Sequence, residues 1–299
     1  MNAANCCRGH RWWSPPRAPS ASDSPSPARR SGTRSSWWAT ANWNRRCGSY
    51  SGRTGCGWRS WTGPAPRGGW QAARLARLRE LLGGLPDAYW PDQYNNPDNT
   101  SGYASLAAEL AAQLDHLDVL VCSVGTGGHS AGIIGPLRRH WPALRLIGVD
   151  STGSTIFGQP ARPRLMRGLG SSIHPRNVAY DAFDEVHWLG PAEAVDGCRR
   201  LARGSFVSGG WSTGAVARVA AWAARVHSGA VVATVFPDGP HRYLGTVYDD
   251  DFTTAHGVDP DAAATRPVQI PHPCAAEATG WARCTRVTDP LETAPGGTS

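Results

Sequence analysis

Apolar and polar segments alternate after Gly68, and their lengths predict strands and helices in turn. Asp118–Ser123 is a continuous apolar run, which is typical of a parallel strand that is buried on both faces. Three more strands are predicted over Leu144–Asp150, Glu185–Leu189 and Ala230–Phe236. Helices are predicted over Gln71–Leu82, Ala104–Leu114, Ser130–Arg139, Ala192–Arg203 and Thr213–His227. This alternation predicts an α/β fold of three layers, with a mostly parallel, doubly wound sheet between helices.

The alternation is absent from residues 1–68, which contain no Leu, Ile, Val or Phe. Without aliphatic side chains, a segment cannot bury enough apolar surface to offset the entropy of ordering its backbone. We therefore expect residues 1–68 to be disordered, residues 69–258 to form the α/β domain, and the Pro- and Ala-rich residues 259–299 to wrap its surface.

Charge and tryptophan content also separate the first segment from the rest. Residues 1–68 carry eleven arginines and one acid, a net charge of +10, whereas residues 69–299 carry nineteen arginines and twenty-two acids, a net charge of −3. The first segment also holds seven of the fourteen tryptophans. It fits a tail that binds nucleic acid, an organelle transit peptide, or a GC-rich coding sequence read out of frame. The composition favours the third interpretation, so no nucleic-acid partner is expected.

Cysteine spacing and hydropathy argue against two further classes of protein. None of the eight cysteines forms a C-x-x-C pair, so no metal site is predicted. No apolar run approaches the length of a membrane span, and the N-terminus lacks the apolar stretch of a signal peptide. We expect a cytoplasmic protein without membrane contact.

A glycine-rich loop, Gly125-Thr126-Gly127-Gly128, follows the first predicted strand and precedes a helix. Its backbone N–H groups can converge on an anion, with hydroxyl donors from Thr126 and Ser130 and the positive end of the helix dipole behind them. The loop alone is a weak signal, because dinucleotide sites use the same device and a tight turn without a ligand has a similar sequence.

Four further motifs surround this loop in a fixed order. They are Gln93–Asn99, Arg167–Pro175, Ser208–Ala215 and Phe236–Leu244. In this order and spacing, the five motifs resemble the C-terminal two-thirds of cysteine synthases and cystathionine β-synthases, the fold type II pyridoxal-phosphate enzymes. The resemblance covers about residues 69–252. It implies the large domain of that fold, pyridoxal 5'-phosphate as cofactor, a small amino-acid substrate and a homodimer.

The resemblance also implies which residues bind the cofactor. The family's phosphate loop matches Gly125, Thr126, Gly127 and Gly128, and His129 stands where the family has a threonine, which weakens or tunes phosphate binding. Ser212 matches the serine that hydrogen-bonds the pyridine nitrogen. Because Ser212 directly precedes a predicted helix, it also fits an N-cap, a role that can coexist with binding of the nitrogen.

Four other residues match the family's motifs away from the cofactor phosphate. Gln93 matches a glutamine near the substrate carboxylate, although a loop amide bonded to backbone accounts for it equally well. Gly168 matches a turn of the active site. Asp238 and Arg242 match a motif that we expect to be structural, with Arg242 paired with an acid.

The sequence lacks the lysine on which the family's chemistry depends, because all thirty residues of the Lys+Arg count are arginine. In the family, that lysine holds the cofactor aldehyde as a Schiff base and moves the α-proton, and an S-G-N-T-G loop binds the cofactor and the substrate carboxylate. Neither segment occurs in these 299 residues. Arginine is no substitute, since its guanidinium stays protonated. We therefore predict no catalytic residue and no covalent aldimine with this chain.

Three functions compete. The first is a cysteine synthase-like enzyme for β-elimination or β-replacement on serine, O-acetylserine or O-phosphoserine, in a truncated or frame-shifted and inactive copy. The second is an NAD(P)-binding Rossmann-type protein, with Asp150 facing the ribose, although Ser130 stands in place of the third fingerprint glycine. The third is a non-catalytic pseudoenzyme that binds phosphate or pyridoxal phosphate.

Overall fold

The computed structural model describes residues 69–84, 88–205 and 207–292, together with four short strands nearer the N-terminus. The chain divides into two compact units, one of residues 15–89 and a larger one of residues 1–14 and 90–299. Apart from those four strands, residues 1–68 are outside the described part of the chain, so the predictions of disorder and of an out-of-frame origin stay predictions.

Among the residues described, the smaller unit contains two strands that pair in parallel and one helix. These are β3 (Ser36–Ala39), β4 (Gly57–Ser60) and α1 (Gly69–Gly83). Helix α1 confirms the prediction for Gln71–Leu82: its leucines are half-buried, whereas Arg74 and Arg79 are exposed. It ends at Gly83, because glycine has no side chain and its backbone is free to leave the helix.

The larger unit is an α/β domain with a six-stranded sheet. It begins with the antiparallel pair β1 (Cys6–Cys7) and β2 (His10–Arg11). Its helices are α2 (Asp98–Ser101), α3 (Ala104–Gln113), α4 (Gly128–His140), α5 (Pro191–Ser205), α6 (Trp211–Val226) and α7 (Asp250–Ala255). Its sheet contains β5 (Val119–Ser123), β6 (Arg145–Ser151), β7 (Glu185–Leu189), β8 (Val232–Thr234), β9 (Val268–Gln269) and β10 (Ala282–Cys284).

The strands lie in the order β8-β5-β6-β7-β10-β9. The first four are parallel, β10 is antiparallel to β7, and β9 is parallel to β10. The predicted mostly parallel sheet is therefore confirmed. Strand β8 is shorter than predicted, spanning three residues of the apolar run 230–236.

Both faces of the sheet are covered, which is why its strands read as apolar runs. Leu120 and Cys122 of β5 join a core with α3 and α4, whereas Val119 and Val121 join a second core with α5 and α6. The three layers predicted from the sequence are present.

Residues 259–299 do not all lie on the surface as expected. Strand β10 extends the sheet beyond β7, and Trp281 just before it is buried. The Trp281 indole donates a hydrogen bond from Nε1 to His187 Nδ1 at 2.9 Å. A three-residue strand has no periodicity to detect, so only these tertiary contacts reveal it. In the part of the chain that the structure describes, no helix is long and apolar enough to cross a membrane.

Candidate functional site

The glycine-rich loop lies at the carboxyl end of β5, in the middle of the parallel strands. Val124 extends the ladder, since its N–H donates to Val149 O at 2.8 Å and its carbonyl accepts from the Gly170 N–H at 2.8 Å. The loop therefore leaves the sheet beside residues 168–170, another of the predicted motifs. Ligands of open α/β sheets bind at this edge, beyond the carboxyl ends of the strands.

Two glycines of the loop have no room for a side chain. Gly127 has a φ of +84°, and a Cβ built on it would lie 2.6 Å from Val178 N and 2.7 Å from the carbonyl carbon of Asn177. A Cβ on Gly128 would lie 2.5 Å from Asn99 Oδ1. Because no side chain fits there, the backbone of Gly127 and Gly128 packs directly on its neighbours and α4 starts at the loop.

The Gln93 segment is fixed against the loop by two asparagine amides. Asn99 Nδ2 donates to Gln93 O at 2.6 Å and to Thr126 Oγ1 at 3.2 Å. Asn177 Nδ2 donates to Gln93 O at 3.0 Å and to Asn96 O at 3.1 Å. The Gln93 side chain is exposed, and it forms no hydrogen bond with the residues described, so the alternative of a backbone-bonded amide is not supported.

Asn99 and Asn177 were not predicted as site residues. Asn99 could have been predicted from the asparagine-rich run from Asn95 to Asn99, because such amides commonly hydrogen-bond to loop backbone. Asn177 could not be predicted from the sequence, since its partners lie more than eighty residues earlier in the chain.

Ser212 is buried at the start of α6 with an unused hydroxyl. The helix begins at Trp211 with Gly210 as its N-cap, so the N-cap role expected for Ser212 is wrong. The Ser212 side chain is 1% exposed, and its Oγ has no hydrogen-bond partner among the described residues. A buried hydroxyl without a partner is rare in proteins and marks a position that a ligand can satisfy.

Gly168 joins Ser212 to the glycine-rich loop. Its φ is +89°, and a Cβ built on it would lie 3.4 Å from Ser212 Oγ. A Cβ on Gly125 would lie 3.6 Å from Gly168 O. The structure therefore brings three predicted site residues, Gly125, Gly168 and Ser212, to one place.

Asp238 holds the turn that presents Ser212. Its Oδ1 accepts hydrogen bonds from the Gly210 N–H at 2.9 Å and from Thr213 Oγ1 at 3.0 Å. This supports the structural role expected for Asp238. The expectation for Arg242 is wrong, because no described acid lies within ion-pair distance of it.

His129 brings no charge to the loop near neutral pH. Burial lowers the pKa of His129 to about 4, so its imidazole is neutral at pH 7. Its Nε2 is enclosed and has no hydrogen-bond partner among the residues that the structure describes. Its ring lies edge-on to Tyr103, with 6.0 Å between ring centroids. The loop therefore offers an anion neutral donors only.

Asp150 is the penultimate residue of β6 and is fully buried. Its Oδ1 accepts from the Ser151 N–H at 2.7 Å, while Oδ2 has no partner in the described chain. Burial raises the pKa of Asp150 to about 7. A carboxyl group enclosed in this way is not placed to bind the ribose of a dinucleotide, which argues against the NAD(P) hypothesis.

Comparison with protein families agrees with the geometry. The family described as "Pyridoxal-phosphate dependent enzyme" matches residues 63–238. An N-(2-amino-2-carboxyethyl)-L-glutamate synthase of Cupriavidus metallidurans is 41% identical over 204 residues, which are 66% of this chain and 59% of that protein. A putative cysteine synthase of Sinorhizobium fredii is 35% identical over 195 residues, 63% of this chain and 58% of that protein. The chain thus spans about three-fifths of these relatives' length.

Solved structures show the same fold. The O-acetylserine-dependent cystathionine β-synthase of Helicobacter pylori superposes with a TM-score of 0.65 at 28% identity, covering 73% of this chain and 71% of that one. A cysteine synthase of Entamoeba histolytica superposes with a TM-score of 0.67 at 22% identity, covering 74% and 66%. At that identity, the second likeness concerns the fold alone.

Proposed function

Because the chain belongs to the family of pyridoxal-phosphate-dependent enzymes, we propose that the glycine-rich loop and Ser212 form its cofactor site. Ser212 carries this proposal: its hydroxyl is buried, has no partner among the described residues, and lies beside Gly168. A pyridine nitrogen bound there would satisfy that hydroxyl. A neutral hydroxyl also leaves the ring nitrogen unprotonated, which favours β-elimination and β-replacement.

The loop supplies the other half of the site. No described residue accepts a hydrogen bond from the backbone N–H groups of Gly125, Thr126 or Gly127, which leaves them for the cofactor phosphate. The thirteen-residue helix α4 follows directly and adds its positive dipole end. Neutral His129 adds no cation, so phosphate binding depends on these backbone donors.

The reaction class that this site supports is β-replacement on an amino acid. When bound, pyridoxal phosphate acts as an electron sink, so that a β-substituent leaves with its bonding electrons and a nucleophile adds at the same carbon. The name of the Cupriavidus relative describes a three-carbon amino acid joined to the nitrogen of L-glutamate. We infer a donor of the serine, O-acetylserine or O-phosphoserine type and an amine as the nucleophile. We assign Gln93 and Gly168 to the binding of the donor, as the resemblance implies.

The absence of lysine from the 299 residues favours a second candidate function. Without this amine, no side chain of the chain can hold the cofactor covalently or move the α-proton. A protein that binds pyridoxal phosphate reversibly and does not turn over substrate accounts for both the cofactor cradle and the missing lysine. Activity requires a lysine from outside these residues.

We also propose a homodimer in the cytoplasm, with residues 69–258 as the cofactor-binding domain and residues 259–299 as its extension. The dimer is what the resemblance to cysteine synthases implies. Sedimentation equilibrium of the purified chain tests it: a mass twice that of the 31.9 kDa chain supports the dimer, and a mass equal to it would exclude one.

The test of the cofactor site is a titration of the purified chain with pyridoxal phosphate, followed by tryptophan fluorescence and equilibrium dialysis. Ser212→Ala is expected to weaken binding about tenfold, because one buried hydrogen bond is lost. Its stability should change little, since Ser212 Oγ has no partner to lose. Thr213→Val, which breaks the bond to Asp238 instead, should lower the free energy of unfolding by about 1 kcal/mol. Equal cofactor binding by the wild type and Ser212→Ala would reject the assignment.

A further inference from the structure

A cavity of about 360 Å³ opens at the carboxyl ends of β6 and β7, on the sheet edge that also carries the glycine-rich loop. Ser151, Arg164, Met166, Gly190, Glu193 and His256 are among the residues that line it. Its size suits a small-molecule ligand. All of these residues belong to the larger unit of the chain.

Arg164 is the arginine of this cavity, and one edge of its guanidinium is free. Its Nη1 is fixed by hydrogen bonds to Gly153 O at 3.0 Å and to Ser172 Oγ at 3.1 Å. Within the described chain, no carboxylate lies in ion-pair distance of it. The Nε and Nη2 atoms therefore remain available, and together they form the edge that binds a carboxylate with two parallel hydrogen bonds.

The acids near Arg164 form no direct ion pair with it in the described chain. Asp150 acts on the pKa of Arg164 more than any other charged group does, but it does so without an ion-pair contact. Glu193 lines the cavity with its carboxylate already engaged, since Oε2 accepts from the Gly190 N–H at 3.0 Å and Oε1 from the Ala264 N–H at 3.2 Å. Half-buried and without an ion pair, Arg164 is a site for an incoming anion.

Arg164 also lies close to the cofactor site. Its Nη1 donates to Ser172 Oγ, two residues after Gly170, whose N–H donates to Val124 O directly before the glycine-rich loop. A Cβ built on Gly170 would also meet Oγ of Ser151, which lines the cavity. A ligand held by Arg164 in the cavity would therefore lie next to the place where the proposed reaction occurs.

We propose that Arg164 binds a carboxylate of the nucleophile, so that the second substrate is an amine that also carries a carboxylate, as L-glutamate does. The assignment rests on the proposed function, which supplies the reaction. The class of ligand, a carboxylate, comes from the free edge of the Arg164 guanidinium. A simple amine or sulfide would leave the free edge of the guanidinium unpaired and is disfavoured for that reason.

The test is calorimetric titration of the full chain with L-glutamate, with and without pyridoxal phosphate, and with putrescine as an amine that lacks a carboxylate. We expect the wild type to bind L-glutamate and not putrescine. Arg164→Ala should weaken L-glutamate binding about tenfold to a hundredfold, because a charged hydrogen-bonding partner is lost. Arg164→Lys should fall between the two, since it keeps the charge but loses the paired geometry. Arg167→Ala, at an exposed arginine three residues later, is the matched control and should bind as the wild type does.

Each outcome bears on one of the two proposals. Any of three results overturns the assignment of Arg164. The wild type does not bind L-glutamate, the wild type binds putrescine equally well, or Arg164→Ala and Arg164→Lys both bind L-glutamate as tightly as the wild type does. Circular dichroism shows whether Arg164→Ala has lost its fold. If it has, the affinity of Arg164→Lys for L-glutamate decides whether the assignment stands. A chain that binds L-glutamate but not pyridoxal phosphate would retain the Arg164 site and refute the cofactor site instead.

Discussion

Gly127 lies so close to the backbone of Asn177 and Val178 that its missing side chain shapes the whole candidate site. Its φ of +84° and this close contact let the loop turn from β5 into α4. The loop could be predicted from the sequence, because several glycines between a buried strand and a helix are typical of an anion-binding turn. The segment on which it packs could not be predicted, since that contact joins residues fifty positions apart.

Substitution of Gly127 tests this contact directly. We expect Gly127→Ala to lower the free energy of unfolding by about 1–3 kcal/mol, because it adds both a strained backbone angle and a clash. Gly135→Ala in α4, the helix that follows Gly127, is the control: no atom lies within 4 Å of its built Cβ, so the change should stabilise the helix by about 0.5–1 kcal/mol. Urea denaturation measures both. Equal effects of the two substitutions would contradict the described loop.

Asp150 provides a prediction on pH. Its pKa in the folded chain is about 7, against an ordinary value of 3.8. The folded state therefore binds this proton more tightly than the unfolded state, and the carboxyl destabilises the fold increasingly as the pH rises from about 4 to 7. Asp150→Asn should raise the free energy of unfolding by about 2 kcal/mol at pH 8 and change it little near pH 4.

Denaturation at several pH values measures this effect. Asp261→Asn removes an exposed carboxyl group and is the control. If Asp150→Asn destabilises the chain at pH 8, the prediction is contradicted, because the hydrogen bonds from Ser151 and Ser154 to the carboxylate then outweigh the cost of its burial.

At the scale of elements, long periodic segments were predicted well and short ones were not. Helices α3 to α6 and strands β5 to β7 follow the sequence pattern because each has one or two apolar faces of sufficient length. Strands β9 and β10 are two and three residues long. Their place in the sheet depends on Trp281 and His187, which lie 94 residues apart, and no local pattern carries such a contact.

The anchoring of β10 can be tested through Trp281. The Trp281 Nε1 donates to His187 Nδ1. The other ring nitrogen of His187, Nε2, lies 2.8 Å from Glu185 Oε1. Trp281→Phe should lower the free energy of unfolding by about 1–3 kcal/mol, because it leaves a buried acceptor unpaired. Hydrogen exchange of the β10 amides should speed up more than exchange in β5.

Trp188→Phe is the matched control for Trp281. Trp188 is also buried in the sheet, but its Nε1 has no hydrogen-bond partner among the described residues. Trp188 pairs with Ala282 of β10, but its replacement removes no side-chain hydrogen bond, so exchange in β10 should speed up less than in Trp281→Phe. Faster exchange in β10 for both variants alike would show that the indole hydrogen bond is not what holds the strand.

At the scale of the whole molecule, the chain has the family's fold and the loop that we propose binds the cofactor, whereas its 299 residues contain no lysine. The loop, Gly168 and Ser212 converge at one edge of the sheet although they lie in three separate motifs. Their convergence followed from the family's order of motifs. The cavity at Arg164 did not, because its lining comes from separate segments between residues 151 and 280 that share no sequence pattern.

The most direct measurement is the mode in which the purified chain binds pyridoxal phosphate. One sample is saturated with the cofactor, treated with borohydride to reduce any Schiff base, and its intact mass is measured by mass spectrometry. A second, untreated sample is used in equilibrium dialysis to measure reversible binding. We predict reversible binding that inorganic phosphate displaces, without a mass increase after reduction, because the 299 residues offer the cradle and no lysine. Absence of binding, or a stoichiometric covalent adduct on a side chain, would contradict this account.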